Sequence, residues 1–134
     1  MRILVLEDED SIRRMISALV QARGFEVVGA ANGVKAVDEA LTKAPDVAIL
    51  DLMVPGAFDG FEVCRRLRQN HATARIPIII ISALDDDASR KKAMEAGATT
   101  YFVKPFSAIA LLKELEAVKA GKPSPSQATK PTRS

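Results

Sequence analysis

Three features of the 134-residue sequence predict an α/β fold built on a parallel sheet. Short apolar runs recur five times, longer amphipathic stretches separate them, and most of the runs are apolar throughout instead of alternating with polar residues. A strand with helices on both faces has no side that meets water, so both of its faces are apolar. Five βα units in succession therefore predict a five-stranded parallel sheet with helices on both faces.

The strands are expected at Ile3–Leu6, Val27–Ala30, Val47–Leu50, Ile78–Ile81 and Tyr101–Val103. After the first, Ile12, Met15, Ile16, Leu19 and Val20 mark one buried helical stripe, and Gly24 stops it. A second helix runs from about Gly33, capped by Asn32, through Val34, Val37 and Leu41, and ends at Pro45. The third follows Asp59-Gly60 and uses Phe61, Val63, Cys64 and Leu67. The fourth follows Asp85-Asp86-Asp87, read as first-turn charges, and has only Ala88, Ala93 and Met94 to turn inward. The fifth starts at Ser107 and buries Leu111, Leu115 and Val118.

Composition narrows the function classes. A hydrophobic fraction of 48% is enough for a core, and one cysteine, Cys64, cannot close an internal disulfide, as in a reducing compartment. The longest apolar run is too short to span a bilayer, and no signal peptide is visible, so a soluble cytoplasmic protein is expected. The net charge of +2 belongs to the end of the chain. Residues 119–134 hold four bases and no acid, which leaves 15 bases against 17 acids before them. Direct nucleic-acid binding by the body of the chain is not expected. Residues 1–119 read as one domain. Residues 120–134, rich in proline and serine, read as a flexible basic tail or linker.

In open α/β sheets, ligands bind beyond the carboxyl ends of the strands, where the strand order reverses. For the order 2-1-3-4-5, strands one and three meet at that point, bringing Glu7, Asp8 and Asp51 together. Three crowded carboxylates repel one another, and a hard cation with oxygen ligands, Mg²⁺ above all, relieves the repulsion. Strand four ends in the hydroxyl of Ser82 and strand five in the ammonium of Lys104. A carboxylate nucleophile, a cation, an ammonium and a hydroxyl describe a phosphoryl-transfer site. Asp51 is the expected acceptor. Asp8, Asp51 and Glu7 (the last through water) are the expected metal ligands, and Lys104 and Ser82 would hold phosphoryl oxygens.

Four segments carry a resemblance: Ile3 to Glu9, Pro45 to Gly56, Pro77 to Ala83, and Gly97 to Phe106. Over residues 1–119 the chain resembles the receiver domains of two-component response regulators, whose fold is the flavodoxin-like order 2-1-3-4-5. The resemblance implies phosphorylation of Asp51 by a sensor histidine kinase or phosphotransfer protein. It also implies a metal-binding backbone carbonyl at Met53 and a cis Lys104–Pro105 bond. In the implied switch, Ser82 is drawn to the phosphoryl group and Tyr101 turns inward, repacking the face made by helix four, strand five and helix five. Met53 and Leu84 flank the site and would tune the phosphoryl lifetime.

The chain departs from the family in three places. Glu7 stands where an Asp is frequent, and one extra residue, Ala57 or Phe58, lengthens the loop between Asp51 and Gly60. Thr99 and Thr100 replace acids of a charged dimer interface, and no Arg lies near Glu114 or Glu116, which argues against that dimer. The output stays open between a stand-alone module docking a downstream protein and a linker to an effector domain. A pseudo-receiver working without phosphate is the main rival, but the full acidic set and Lys104 argue against it. A flavin carrier needs a hydroxyl- and glycine-rich loop where this chain has four acids. Arg65, Arg66, Arg68 and the Arg90-Lys91-Lys92 run are read as solvated helix faces, His71 as a lone loop residue and Cys64 as core.

Overall fold

In the computed structural model, which describes residues 1–121, strands and helices alternate from start to finish. They run β1 (Arg2–Leu6), α1 (Asp10–Gln21), β2 (Glu26–Ala30), α2 (Gly33–Lys43) and β3 (Val47–Asp51). Then come α3 (Gly60–Gln69), β4 (Ile78–Ser82), α4 (Asp87–Glu95), β5 (Thr100–Val103) and α5 (Ala108–Lys119). All strand pairs are parallel and the order is β2-β1-β3-β4-β5, as the apolar runs predict. From residue 122 onward, the expected tail lies outside the described residues.

The period of two along each strand sorts its side chains into two cores. Leu4, Leu6, Ala48, Leu50, Ile78 and Ile80 face α2, α3 and α4, with Ala36, Ala40, Cys64, Leu67 and Ala93 opposite. Ile3, Val5, Val47, Ile49, Ile79 and Ile81 face α1 and α5, meeting Ile16, Val20, Leu111 and Leu115. β3 and β4 are buried at every residue, so the polar groups that end them, Asp51 and Ser82, are drawn into the interior by the strands themselves.

Side-chain caps start α2, α3, α4 and α5, while α1 has none. Asn32 accepts from the Lys35 amide, Asp59 from Glu62, Asp86 from Ser89 and Ser107 from Ala110. Asp86 is thus a cap and only Asp87 lies in the first turn of α4, where three first-turn charges are expected. Two expected stripes are also corrected. In α2 the buried residues are Gly33, Ala36 and Ala40, with Val37 half-buried as expected, while Val34 and Leu41 are exposed. In α4 Ala93 is buried, but Ala88 and Met94 are exposed, as is Met15 on α1. The start of α2 packs so closely that a Cβ on Gly33 would stand 2.2 Å from the Phe58 carbonyl oxygen. Small residues suit such an approach, and the larger ones turn outward.

Gly60 makes the tightest approach to β3. A Cβ there would lie 2.3 Å from the Asp51 carbonyl oxygen and 2.5 Å from the Leu52 Cα, both backbone atoms that cannot swing aside. Gly60→Ala is expected to lower stability by about 1–3 kcal/mol despite alanine's better helix propensity, read as a fall in the urea midpoint. An unchanged midpoint would show that the start of α3 is free to shift. Cys64, whose thiol burial pushes up to about 11, is expected to stay inert to thiol reagents in the native chain at about pH 8. Its labelling should follow unfolding.

Candidate functional site

Strand register places the polar groups. Leu6 lies beside both Ala30 and Leu50, so Glu7 and Asp8 emerge next to Asp51 at the carboxyl edge of the sheet. Ser82 is level with Val103, and the Lys104 amide donates to the Ser82 carbonyl at 2.8 Å. Lys104 is thereby delivered to the same edge from a different strand. The Lys104–Pro105 bond is cis.

The ammonium of Lys104 is the centre of this edge. Its Nζ donates to Glu7 Oε1 at 2.7 Å and to Asp51 Oδ2 at 2.9 Å. Glu7 is 1% exposed and Asp51 5%, while Asp8 stands in solvent beside them. Burial raises the pKa of Glu7, an effect that the Lys104 and Glu9 hydrogen bonds only partly offset. Burial by itself would lower Lys104, but the two carboxylates it bonds outweigh that and raise it. Asp51 also accepts from the Met53 amide at 3.0 Å through Oδ1, which fixes the turn after β3.

Glu7, Asp8 and Asp51 each offer a carboxylate oxygen, and the three oxygens lie within 4.8 Å of one another. An all-oxygen donor set of this density suits a hard divalent cation such as Mg²⁺. Ser82 is fully buried at the end of β4, where its Oγ accepts from the Leu84 amide at 3.1 Å. It is not the cap of α4, since Asp86 fills that role. Tyr101 is half-buried. Its hydroxyl donates to the Leu84 carbonyl at 2.7 Å and has the Ser82 hydroxyl as a neighbour, and its pKa is raised, chiefly by burial.

Several residues near this edge escape sequence reasoning. Arg13 Nη1 donates to the Glu7 carbonyl at 2.8 Å and braces the β1–α1 turn. Phe58 packs against the Gly33 end of α2 and lies under the Arg66 guanidinium, 3.9 Å from the ring centroid. All four arginines read as solvated have partners, Arg65 and Arg66 sharing Glu62. Arg68 binds the carbonyls of Gly97, Ala74 and Ile76, and Arg90 pairs with Asp85 at 2.8 Å. Thr100 Oγ1 donates to the buried Glu114 at 2.7 Å, so this pair faces inward where the charged dimer interface would need exposed ions.

With this geometry in hand, the family model of the response regulator receiver domain matches residues 3–116. The chain belongs to that family, so it is a regulatory phosphoacceptor module of two-component signalling. It is 38% identical over 117 residues to the phosphate regulon transcriptional regulatory protein PhoB of Rhizobium meliloti, covering 87% of this chain and 51% of that protein. It is 36% identical to the response regulator PleD of Caulobacter vibrioides, covering 87% of this chain and 26% of PleD. Among solved structures it is similar to the chemotaxis protein CheY4 of Vibrio cholerae, with a TM-score of 0.81 at 33% identity over 87% of this chain and 97% of that one. The chain spans about half the length of PhoB and about a quarter of PleD. Among the described residues, no helix is long and apolar enough to cross a membrane.

The ammonium's value to the fold depends on pH. A carboxyl whose folded pKa is raised, as for Glu7, favours the folded state while protonated and costs it stability as pH climbs through that pKa. Lys104 offsets this cost only where the carboxylate is ionised. The Lys104→Met chain is therefore expected to trail the wild type in urea stability by more at about pH 8 than at about pH 5. Equal deficits at the two pH values would show that Lys104 does not compensate the carboxylates.

Proposed function

We propose that this chain, over residues 1–119, is a phosphorylation-dependent switch in which Asp51 accepts a phosphoryl group from a histidine kinase or phosphotransfer protein. The observation that carries this reading is the pairing of Asp51 Oδ2 with the Lys104 ammonium at 2.9 Å, beside two further carboxylates. An Asp51 oxygen attacks the phosphorus of the donor's phosphohistidine. The new P–O bond forms as the P–N bond breaks, and the electron pair leaves on the imidazole nitrogen. Family membership supports this direction of transfer, because the module is an acceptor.

Residues of this chain answer the incoming charge. Lys104 loses the Asp51 carboxylate as a full ionic partner once it becomes an acyl phosphate, and can turn its ammonium to a phosphoryl oxygen. Ser82 holds a second oxygen, which requires its hydroxyl to leave the Tyr101 side. Asp8 and Asp51, with Glu7 through water and the Met53 backbone carbonyl, are the groups that would hold Mg²⁺. Bound there, the ion would supply positive charge to the phosphoryl oxygens. Met53, which is largely exposed, and Leu84 would limit the approach of water to the phosphoryl group.

The output follows from Ser82 and Tyr101. A shift of Ser82 toward the phosphoryl group favours Tyr101 inward, repacking the α4, β5 and α5 face where a downstream protein or effector domain docks. The protein works in the cytoplasm, turns over no separate substrate and makes no direct contact with nucleic acid through these residues.

Acetyl phosphate and Mg²⁺, followed by intact mass, test the reading. A labile adduct is expected on the wild type, none on Asp51→Asn, and none when the metal is chelated. If the wild type gives no adduct and fails to bind Mg²⁺, the chain is instead a pseudo-receiver that binds partners without phosphate.

A further inference from the structure

Tyr101 is fastened on two sides, by groups other than Asp51, Glu7 and Lys104. Its hydroxyl bonds the Leu84 carbonyl, and the Arg90 guanidinium lies over its ring, 5.0 Å from the centroid. Arg90 is itself held, because its Nη2 donates to Asp85 Oδ1 at 2.8 Å. Leu84 is held in turn by the bond from its amide to Ser82 Oγ. Residues 82–85, the segment leaving β4, thus reach Tyr101 twice, once through Leu84 and once through the cation that Asp85 braces. The Asp86 cap fixes the start of the helix that carries Arg90.

A cation is attracted to a ring face only while the ring lies beneath it. An outward rotation of Tyr101 would forfeit both the Leu84 bond and the Arg90 contact. Each of them therefore favours the inward side chain, and neither involves Asp51, Glu7 or Lys104. We propose that Arg90, braced by Asp85, is a positioning residue that holds Tyr101 inward before any phosphoryl group arrives. The consequence for signalling rests on the phospho-switch reading: the resting module already leans toward its inward arrangement, by about two- to five-fold from the cation alone.

The sequence contains one tyrosine and no tryptophan, so ultraviolet emission reports Tyr101 by itself. Acrylamide, a neutral quencher, can be applied to the whole chain without any phosphodonor. Arg90→Ala is expected to raise the quenching constant about twofold, and Arg90→Lys to raise it less, since the cation is kept. Asp85→Asn should give a small rise in the same direction, because the pair it breaks is exposed to solvent. Far-UV circular dichroism checks folding, and if Arg90→Ala fails to fold, the Arg90→Lys and Asp85→Asn chains carry the test. Unchanged quenching in the folded variants overturns the proposal.

Beryllium fluoride with Mg²⁺, a phosphoryl mimic, separates this proposal from the reading beneath it. It is expected to bring Arg90→Ala back toward the wild-type value and to change the wild type little. A large fall in wild-type quenching would mean that Tyr101 starts outward, which overturns the proposal. If the mimic affects neither chain while Arg90→Ala still raises quenching, the positioning role stands and the phospho-switch reading fails.

Discussion

Ionised carboxylates stay out of water only where something close by answers their charge. Glu7 and Asp51 are almost sealed at adjacent strand ends, and the Lys104 ammonium is bonded to both. That ammonium comes from the end of β5, two strands away from β3, so the answer works only while β3, β4 and β5 keep register. The apolar faces supply the force that keeps it. A slip of one residue on β4 would exchange Ile78 and Ile80 with Ile79 and Ile81 and also carry Ser82 away from Lys104. Packing and charge therefore select the same register.

The surroundings of Asp51 are built by close backbone approaches more than by large side chains. The Gly60 amide bonds the Leu52 carbonyl, closing the neck of the loop that begins at Asp51. Phe58 of that loop is set down on α2 at Gly33 and covered by Arg66, which Glu62 holds in place. A second fastening lies below. The Arg68 guanidinium binds carbonyls from the α3–β4 and α4–β5 connections, and part of it fills the space where Gly97 lacks a side chain. One half-buried guanidinium thus ties together two connections.

Sheet order, strand positions and the gathering of Glu7, Asp8, Asp51 and Lys104 were all legible in the sequence. Each depends on a strong local pattern, an apolar run ended by a polar group, and on the rule that ligands meet parallel sheets at their carboxyl edge. The failures share a cause. On α2, residue size points to Val34 and Leu41 as the inward face, whereas close packing selects Ala36 and Ala40; on α4, Ala93 turns inward as expected and Ala88 and Met94 do not. Arginine partners were equally hidden. Arg68 and Arg90 look like any other base on an amphipathic helix, and their acceptors are backbone carbonyls or an aspartate in a loop whose position only the fold decides. Phe58 is equally hidden, since the loop around it already holds Leu52, Met53 and Val54.

The alanines under α4 bear on how that helix can move. A leucine or phenylalanine seated in a core leaves a void when it withdraws, and the void makes displacement costly in proportion to its volume. Ala93 fills almost no hollow, and Ala96 beyond the helix end is equally small. A helix seated on methyl groups can tilt or slide along the sheet without emptying a cavity, and its polar exterior meets water in either position. The deformable edge of the molecule is accordingly the one carrying α4, while α3, seated by Phe61, Val63 and Leu67, supports the Asp51 side as a fixed wall.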